Sequence, residues 1–395
     1  MLERLTQTES LAVACAQSVG QVRALESEWL ELEKIAHGAT LFQSWHWCAL
    51  GMRQMERRNT GSPGNAEMPY VISIRENNRL IALLPLKIIP KRGRRILTGL
   101  AEPFQEFTDM LLAPHANASA IFASLLPQLQ NAPADYVHFG QVRTDSSLYK
   151  AIKDDVPPMG ERDGAPFVNL QPFADFDAYH KTLKAKTRKN MRNRANRLSK
   201  DGPVTHELAS TSSDLQDLVH RTFENRAEWL AARGLTSSSF GDDMFLQFLR
   251  DVARQRSGKG GFSVLGGTLR QGDTVLAQQW GPVYRGRYYA FMSGWNKGFV
   301  KASPGAMHLE HMLRACFDAG LDRAEFLLPR VPYKETWANG CVQVQDHILP
   351  LNMRGWLFAH VWFDRVRPLL KRAIYAMAPG LRRVVTGAAK LLGAR

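Results

Sequence analysis

Apolar residues in this chain recur with two spacings, and each spacing marks a different kind of element. Short apolar runs bounded by turn residues predict strands, the clearest being Tyr70–Arg75, Leu80–Ile88, Ser263–Arg270 and Val275–Val283. Apolar residues three and four positions apart predict helices, which include most of residues 1–60, Ala118–Leu129 and Asp214–Arg233. Because strands and helices alternate along the chain, we predict an α/β fold.

The two predicted hairpins repeat at one constant offset. Arg75 to Ala82 and Arg270 to Ala277 share the same order of basic, turn and apolar positions, 195 residues apart. This repeat favours two copies of one α/β unit, although two unrelated hairpins with ordinary turns would look similar. A stretch rich in proline, glycine and charge at Pro157–Pro166 marks the boundary. We therefore predict an N-terminal lobe over residues 1–160 and a C-terminal lobe over residues 161–354.

The most informative stretch runs from Arg287 to Trp337. Its pattern predicts a strand at Tyr288–Ser293, a helix that begins after Ser303 and ends at Gly320, and a second strand at Ala324–Leu328. A strand that leads through a loop to a helix N-terminus is a ready anion site, because backbone N–H groups and the helix dipole point at the ligand. Lys301 adds positive charge there, so we predict an anion site. The alternative is that Ser303 only starts a helix.

A second signal is a strongly basic helix predicted over His180–Lys200. It holds nine Lys and Arg residues between Lys181 and Lys200 and no acidic residue, so an anionic partner would relieve mutual repulsion. The phosphates of coenzyme A, an anionic polysaccharide or glycolipid, and nucleic acid are all candidates; a basic helix that is only solvated is the alternative.

The C-terminal tail, residues 355–395, is the other basic segment, with eight Lys and Arg residues against Asp364 alone. The two segments together carry +16, more than the net +14 of the whole chain, so the basicity is local and a general polyanion-binding surface is not predicted. Aromatic residues near Trp356 and a second basic piece, Leu381–Leu392, predict amphipathic helices. They would either lie on an anionic membrane surface or pack on the protein.

Composition excludes several other classes of protein. No apolar run reaches the ~18 residues of a transmembrane helix, and the run Leu11–Ala16 is too short for a signal peptide. The four cysteines form no C-x-x-C pair, and Cys316 and Cys341 have no adjacent His or Asp that would indicate a thiol nucleophile. The two histidines of His308–His311 do not form an H-E-x-x-H pattern, so no metal is expected. We expect a cytoplasmic protein.

The sequence from Ser303-Pro304-Gly305 through Asp318-Ala319-Gly320 to Glu325-Phe326-Leu327-Leu328 and Pro332-Tyr333-Lys334 resembles the last part of a GNAT-type acyltransferase domain. It is most similar to the CelD-like acetyltransferases associated with cellulose and exopolysaccharide synthesis, which are similar in build to the Fem-type aminoacyltransferases. The resemblance implies two GNAT-like lobes, a tandem duplicated mixed β-sheet flanked by helices, followed by the amphipathic tail. It also implies transfer of an acyl group, expected to be acetyl, from acyl-CoA to an amine or hydroxyl of a saccharide or cell-envelope intermediate. The N-terminal lobe is expected to be non-catalytic.

Site residues follow from that expectation. Acyl transfer needs a polarised carbonyl, a deprotonated acceptor and correct placement. We predict Glu325 as the carboxylate base, Tyr333 as the proton donor to the leaving thiolate, and Lys334 as a cation for an anionic group. The expected cofactor-binding residues are Lys301, Ser303, Gly305, Ala306 and Arg188. The expected substrate-binding residues besides Lys334 are Gln279, Tyr289, Ser293 and Trp295.

Two other functions remain open at this stage. The first is a Fem-like aminoacyltransferase that uses aminoacyl-tRNA, in which the basic helix would contact RNA; otherwise nucleic acid is not an expected partner. The second is a non-catalytic component of a polysaccharide-secretion system at the inner face of the membrane.

Overall fold

The computed structural model describes residues 11–61, 66–233, 240, 243–255 and 261–377. The chain divides into two units: unit 1 is Met1–Arg162 with Val344–Lys371, and unit 2 is Asp163–Gln343 with Arg372–Arg395. The predicted α/β class is confirmed, since each unit contains a mixed β-sheet with flanking helices. The predicted tail piece Leu381–Leu392 lies outside the described residues.

Unit 1 is built on the strand order β1-β2-β3-β4-β6-β14, with β5 also paired to β3. The strands are β1 (Ala12–Ala16), β2 (Met68–Glu76), β3 (Arg79–Lys91), β4 (Arg94–Gly99), β5 (Leu111–Leu112), β6 (Tyr136–Arg143) and β14 (Gly340–Pro350). The helices are α1 (Val19–Ala24), α2 (Glu26–Ile35), α3 (Trp45–Gly61), α4 (Ala118–Gln130) and α5 (Ser147–Ile152). The prediction of a mostly helical stretch over residues 1–60 is confirmed for the described residues by α1, α2 and α3, but the apolar run at Ala12–Ala16 forms the strand β1, which pairs with β2.

Unit 2 is built on the order β7-β13-β11-β10-β9-β8, with β12 paired to β10. The strands are β7 (Pro158–Asn169), β8 (Val204–Leu208), β9 (Ser263–Gln271), β10 (Thr274–Tyr284), β11 (Arg287–Tyr289), β12 (Met292–Trp295) and β13 (Arg323–Glu325). The helices are α6 (Phe176–Thr182), α7 (Ala185–Leu198), α8 (Ser212–Ala232), α9 (Asp243–Ala253), α10 (Pro304–Asp318) and α11 (Pro332–Trp337). The predicted basic helix is therefore two helices, because the chain turns extended at Leu183 between α6 and α7.

The predicted repeat is present in the backbone. The first residues of β2 and β9, Met68 and Ser263, are 195 positions apart, and each strand pairs with its successor in an antiparallel hairpin. The next turns also match: Arg92 and Gly93 have φ of 55° and 70°, and Arg285 and Gly286 have φ of 49° and 71°. Two consecutive residues with positive φ form the tight turn that joins twisted antiparallel strands. Both lobes therefore contain the same series of strands joined by tight turns.

A buried carboxyl in unit 1 predicts how stability changes with pH. Asp109 is 2 % exposed, and its Oδ1 accepts 2.8 Å hydrogen bonds from the N–H groups of Met110 and Leu148. Burial raises the pKa of Asp109 from 3.8 to about 7. Because the folded state holds this proton more tightly, its contribution to stability is complete below pH ~4 and is lost as pH rises to ~7.

Asp109→Asn should therefore flatten the stability profile between pH 4 and pH 8, by roughly 2–4 kcal/mol across that range. The asparagine Oδ1 can still accept both N–H groups, so folding should be preserved. Urea unfolding at a series of pH values measures the effect, and Asp154→Asn, at an exposed position, is the control. A variant profile that is parallel to that of the wild type would refute the assignment.

A continuous helical segment follows β14. It consists of α12 (Met353–Leu357), a π-helical stretch (Phe358–Val366) and α13 (Arg367–Ala376). In the part of the chain that the structure describes, no helix is long and apolar enough to span a membrane.

Candidate active site

Two strands of unit 2 run side by side and then part. β11 and β13 are parallel, with Tyr288 opposite Ala324 and Tyr289 opposite Glu325. The next residues diverge: Ala290 N–H still donates to Glu325 O at 2.9 Å, but Phe326 N–H donates to Pro166 O and Phe291 N–H to Trp280 O. A wedge therefore opens between β12 and β13, at the centre of the unit 2 sheet.

This parting of the strands, which we call the fork, interrupts the single strand that the sequence predicted at Tyr288–Ser293. The break at Ala290 and Phe291 depends on Gly281 in the neighbouring strand β10. A Cβ at position 281 would lie 1.7 Å from Tyr289 O, a distance that no side chain tolerates, and 3.0 Å from Phe291 N. Only glycine lets the bulged backbone pass this close to β10.

Backbone groups of β12 point into the wedge. Among the described strands, β12 pairs with β10 alone, and Asn296 N–H, which follows it, donates to Leu276 O at 2.8 Å. Because hydrogen-bonded and non-bonded positions alternate along an antiparallel pair, Trp295 and Ser293 turn their N–H groups to the opposite edge. These two N–H groups are available to a ligand that enters the wedge.

The helix α10 begins at the open end of the wedge. Ser303 occupies the N-cap position as predicted, but its backbone is left-handed (φ 51°) and its side chain makes no capping hydrogen bond. This corrects the prediction of Ser303 as a conventional cap, since a serine cap needs an extended backbone to reach the first turn. A Cβ on Gly305 would meet only the Trp295 ring, at 3.9 Å. The first turn of α10 thus presents an uncapped positive dipole end next to open space.

Basic residues surround that helix end. Lys297 and Lys301 are exposed on the 3-10 turn (Lys297–Ala302) that joins β12 to α10. The basic helix α7 packs along α10: Met191 shares a core cluster with Leu309 and Met312, and near its end Arg197 Nη1 donates to Lys301 O at 2.8 Å. The tertiary structure therefore brings α7 to the predicted anion site.

A cleft of about 410 Å³ adjoins the same strand on the side of α8. It is lined by Arg221, Glu224, Asn225 and Glu228 from α8, and by Gln278, Gly294, Trp295, Asn296 and Lys297. Its walls are polar and carry both signs of charge, with Glu228 paired to Lys297 at 3.2 Å and Glu224 to His220 at 3.3 Å. Trp295 is 38 % exposed and borders both the cleft and the first turn of α10.

Tyr333 lies in this region, on the helix α11 that follows the fork. It is 54 % exposed and interacts electrostatically with Arg226, which lines a smaller cleft with Ser293 and Trp295. Desolvation raises the pKa of Tyr333 above its ordinary value, and the Arg226 guanidinium opposes this rise. Tyr333 is therefore protonated at neutral pH and can act as a proton donor.

Two other predicted site residues, Glu325 and Lys334, contact neighbouring protein groups. Glu325 is fully buried, and its Oε1 lies 2.9 Å from Arg323 Nε. Lys334 is 7 % exposed and donates from Nζ to Leu327 O and Leu328 O, at 3.0 Å each, where it holds the turn after β13 in place. That turn ends β13 early, because Leu327 adopts a φ of 58°.

Of the remaining predicted residues, Tyr289 and Gln279 are buried near the fork and Arg188 lies on α7. Tyr289 is buried at the fork itself, and Gln279 is buried with its Nε2 donating to Tyr288 OH at 3.2 Å. Arg188 is on α7. The pKa of His180 is lowered first by desolvation and then by the positive charge of Arg188. Arg188 is nine residues from Arg197, or roughly 14 Å along the helix. The structure thus gathers Lys301, Ser303, Gly305, Ala306, Ser293 and Trp295, with Tyr333 near them.

Three histidines lie together, His308 and His311 on α10 and His206 on β8. The His206 ring stacks on that of His311 at 4.8 Å and meets that of His308 at 5.1 Å. Desolvation lowers the pKa of all three. Within the residues that the structure describes, no group of three or more His, Cys, Asp or Glu has the geometry to hold a metal ion.

Sequence reasoning missed the contribution of α8. The sequence predicts a helix at Asp214–Arg233, but its pattern does not indicate that Glu224, Asn225, Arg226 and Glu228 line a cleft. Their alignment with β12 depends on two distant contacts: Trp280 Nε1 donates to Thr222 Oγ1 at 2.9 Å, and Gly294 leaves room for Asn225, whose Cβ would be 3.0 Å from an added Cβ. Gly294 was the one signal available, since a glycine inside a strand indicates a close approach.

Comparison with known proteins shows what this part of the chain is similar to. Residues 185–335 match the family model described as "Acetyltransferase (GNAT) domain". This stretch contains the fork, α10 and the cleft. No curated protein sequence matches the chain significantly.

The fold is also similar to solved structures. FemX superimposes with a TM-score of 0.58 at 10 % identity, over 85 % of this chain and 98 % of FemX. Weaker similarities include the C-terminal domain of a putative lysylphosphatidylglycerol synthetase from Agrobacterium fabrum (TM-score 0.48, 12 % identity, 86 % and 96 % covered). A tandem GNAT protein from the clavulanic acid biosynthesis pathway gives a TM-score of 0.46 at 11 % identity, with 86 % and 99 % covered. The chain thus contains a GNAT-like domain over residues 185–335 and has a fold similar to that of FemX; the narrower CelD-like assignment stays a prediction.

Proposed function

We propose that unit 2 transfers an acyl group from acyl-CoA to an amine or hydroxyl acceptor. The observation that supports this most directly is the fork between β12 and β13, which opens at the uncapped N-terminus of α10. A thioester carrier has an extended amide-bearing arm and a pyrophosphate. The arm can pair with the outward N–H groups of β12, and the pyrophosphate suits the helix end and the basic residues around it.

Each end of the carrier has residues of matching chemistry. Positive charge is supplied by Lys301 and Lys297 on the turn and by Arg197 at the end of α7. Gly305 leaves the helix end open, because a side chain there would point toward Trp295. We assign Lys301, Ser303, Gly305 and Ala306 to binding the carrier; Arg188, farther along α7, can contact only a more distant phosphate.

The chemistry requires few protein groups. The acceptor nitrogen or oxygen forms a bond to the acyl carbon, the carbon–sulfur bond breaks, and the leaving thiolate takes a proton from Tyr333. The acceptor's own proton passes to water, and Tyr333 regains a proton from solvent. The outward N–H group of Ser293 would polarise the acyl carbonyl at the end of the arm, and that of Trp295, next to the first turn of α10, would pair with the arm itself. The role of Glu325 as a base stays a prediction; the observed ion pair with Arg323 gives it the surroundings of a structural carboxylate.

The acceptor would enter through the cleft beside α8. Glu224 and Glu228 suit an ammonium group, and exposed Trp295 offers an aromatic face to a sugar ring or a cation. Together with the resemblance to exopolysaccharide-associated acetyltransferases, this supports a saccharide or another amine-bearing acceptor. Acetyl is the acyl group that the resemblance favours.

Acyl-CoA binding can be tested directly. Acetyl-CoA at 100 times its Kd should stabilise the protein by about 2.7 kcal/mol, measured as a rise in melting temperature, and longer acyl-CoAs in the same screen would report acyl length. Lys301→Glu should weaken binding about tenfold, because it places a negative charge at the phosphate site. Arg79→Glu, an exposed charge reversal in unit 1, is the control. The absence of stabilisation by every acyl-CoA would overturn the proposal.

An aminoacyl-tRNA donor is the second candidate. The exposed basic side chains of α7, together with the similarity in fold to FemX, favour it. Under this reading tRNA, rather than acyl-CoA, raises the melting temperature, and its binding falls steeply with salt.

A further inference from the structure

Exposed apolar side chains are concentrated on one helical segment. The structure describes ten exposed large apolar side chains, and seven of them lie between Met353 and Leu370. They are Met353, Trp356, Leu357, Val361, Trp362, Leu369 and Leu370, which we call the apolar ridge. An exposed concentration of this kind on a soluble fold marks an interaction surface.

The opposite side of the segment is fixed to unit 1. Gly355, Ala359 and Phe363 are buried at four-residue spacing, and a Cβ on Gly355 would lie 1.9 Å from Asp135 O. Phe358 stacks on Tyr136, with ring centroids 4.6 Å apart. Because one side is packed this closely, the segment cannot roll to bury the apolar ridge, which stays turned outward.

All but one of the charges around the ridge are positive. Arg354, Arg365, Arg367 and Arg372 are exposed on the same segment, against the single acid Asp364. The sequence that follows, residues 378–395, adds four Lys and Arg residues and no acid. Neither that segment nor the same face of a second copy is complementary in charge, since each would bring like charges together. An anionic surface would neutralise the arginines while the ridge enters an apolar phase.

We propose that the segment Met353–Ala376 docks the protein on an anionic lipid bilayer, with the apolar ridge in the interface and the arginines on lipid headgroups. Tryptophan, leucine and arginine in one exposed helix are the composition of helices that lie in the plane of a membrane. This inference concerns where the protein is held and does not depend on the proposed acyl transfer.

The test is co-sedimentation of the full chain with extruded vesicles. Binding to phosphatidylcholine vesicles that contain about 30 % phosphatidylglycerol should be at least about tenfold stronger than to pure phosphatidylcholine, and it should weaken with salt. The double variants Trp356→Ser/Leu357→Ser and Leu369→Ser/Leu370→Ser should each weaken binding about tenfold or more. Arg365→Glu/Arg372→Glu should abolish the preference for phosphatidylglycerol.

Leu208→Ser is the matched control, because Leu208 is 47 % exposed on β8 and outside the ridge; its binding should equal that of the wild type. Circular dichroism checks that all variants are folded. Equal binding to both kinds of vesicle, or ridge variants that bind as well as the wild type, would overturn the proposal. A third outcome would also overturn it: the wild type does not bind vesicles and is a dimer, and the ridge variants are monomers. The ridge would then be a subunit interface.

Discussion

Tyr333→Phe is expected to lower kcat for acyl transfer about a hundredfold or more, the usual effect of losing a positioned general acid. The phenol is on α11 and interacts with Arg226, which lines a cleft with Ser293 and Trp295 of β12, and its raised pKa keeps it protonated at neutral pH. Removing only the hydroxyl leaves the ring and its packing in place. KM for both substrates should therefore change little, and steady-state kinetics separates the two parameters.

Two further measurements distinguish proton donation from a structural role. The wild-type rate should fall as pH rises through the raised pKa of Tyr333, and the phenylalanine variant should lack that limb. Acyl donors with a more acidic thiol should partly restore the rate of the variant, because their leaving group needs no proton. Thr336→Ala, an exposed change on the same helix, is the control. An unchanged kcat in Tyr333→Phe would remove the assignment.

Gly281→Ala should have the largest effect on the fork itself. The added Cβ would lie 1.7 Å from Tyr289 O, a backbone atom that cannot move without displacing β11. We expect a loss of roughly 2–4 kcal/mol in the free energy of unfolding. We also expect at least a hundredfold loss of turnover in the protein that remains folded, because a shift of ~1 Å misplaces the reacting groups.

Thermal unfolding measures the loss of stability, and steady-state kinetics below the melting transition measures the loss of turnover. Gly20→Ala is the matched substitution, since a Cβ at Gly20 in α1 meets nothing within 4 Å. It should be neutral or slightly stabilising, because alanine is the better helix former. If Gly281→Ala behaved like Gly20→Ala, the bulge at Ala290 and Phe291 would not depend on close passage by β10.

Local patterns in the sequence predicted most of the elements and their repetition. The hairpin turns at Asn77-Asn78 and Gly272 need residues that tolerate positive φ, and those residues are visible in the sequence. Gly320, which ends α10 with a φ of 63°, was likewise visible. The strand, the loop and the helix start that make up the predicted anion site were visible as well, because they follow one another in the chain.

The side-chain roles were less accessible, because they depend on partners far away in sequence. Lys334 looks like a surface cation until its ammonium is found on the carbonyls of Leu327 and Leu328. Arg197 looks like one of nine equivalent charges until it is found on Lys301 O, 104 residues away. The wall of the cleft comes from α8, whose contact with β12 is set by packing at Gly294.

The sequence by itself determined an α/β chain with a repeated hairpin, a helix start suited to an anion, and two basic segments. These depend on periodicity, turn residues and charge, which act over a few neighbouring positions. The tertiary structure alone decided that the strand at Tyr288 would break into a fork, that α7 would lie beside the helix end, and that the apolar ridge would face outward. Each of these is fixed by close contacts between residues distant in the chain, and no local pattern encodes such contacts.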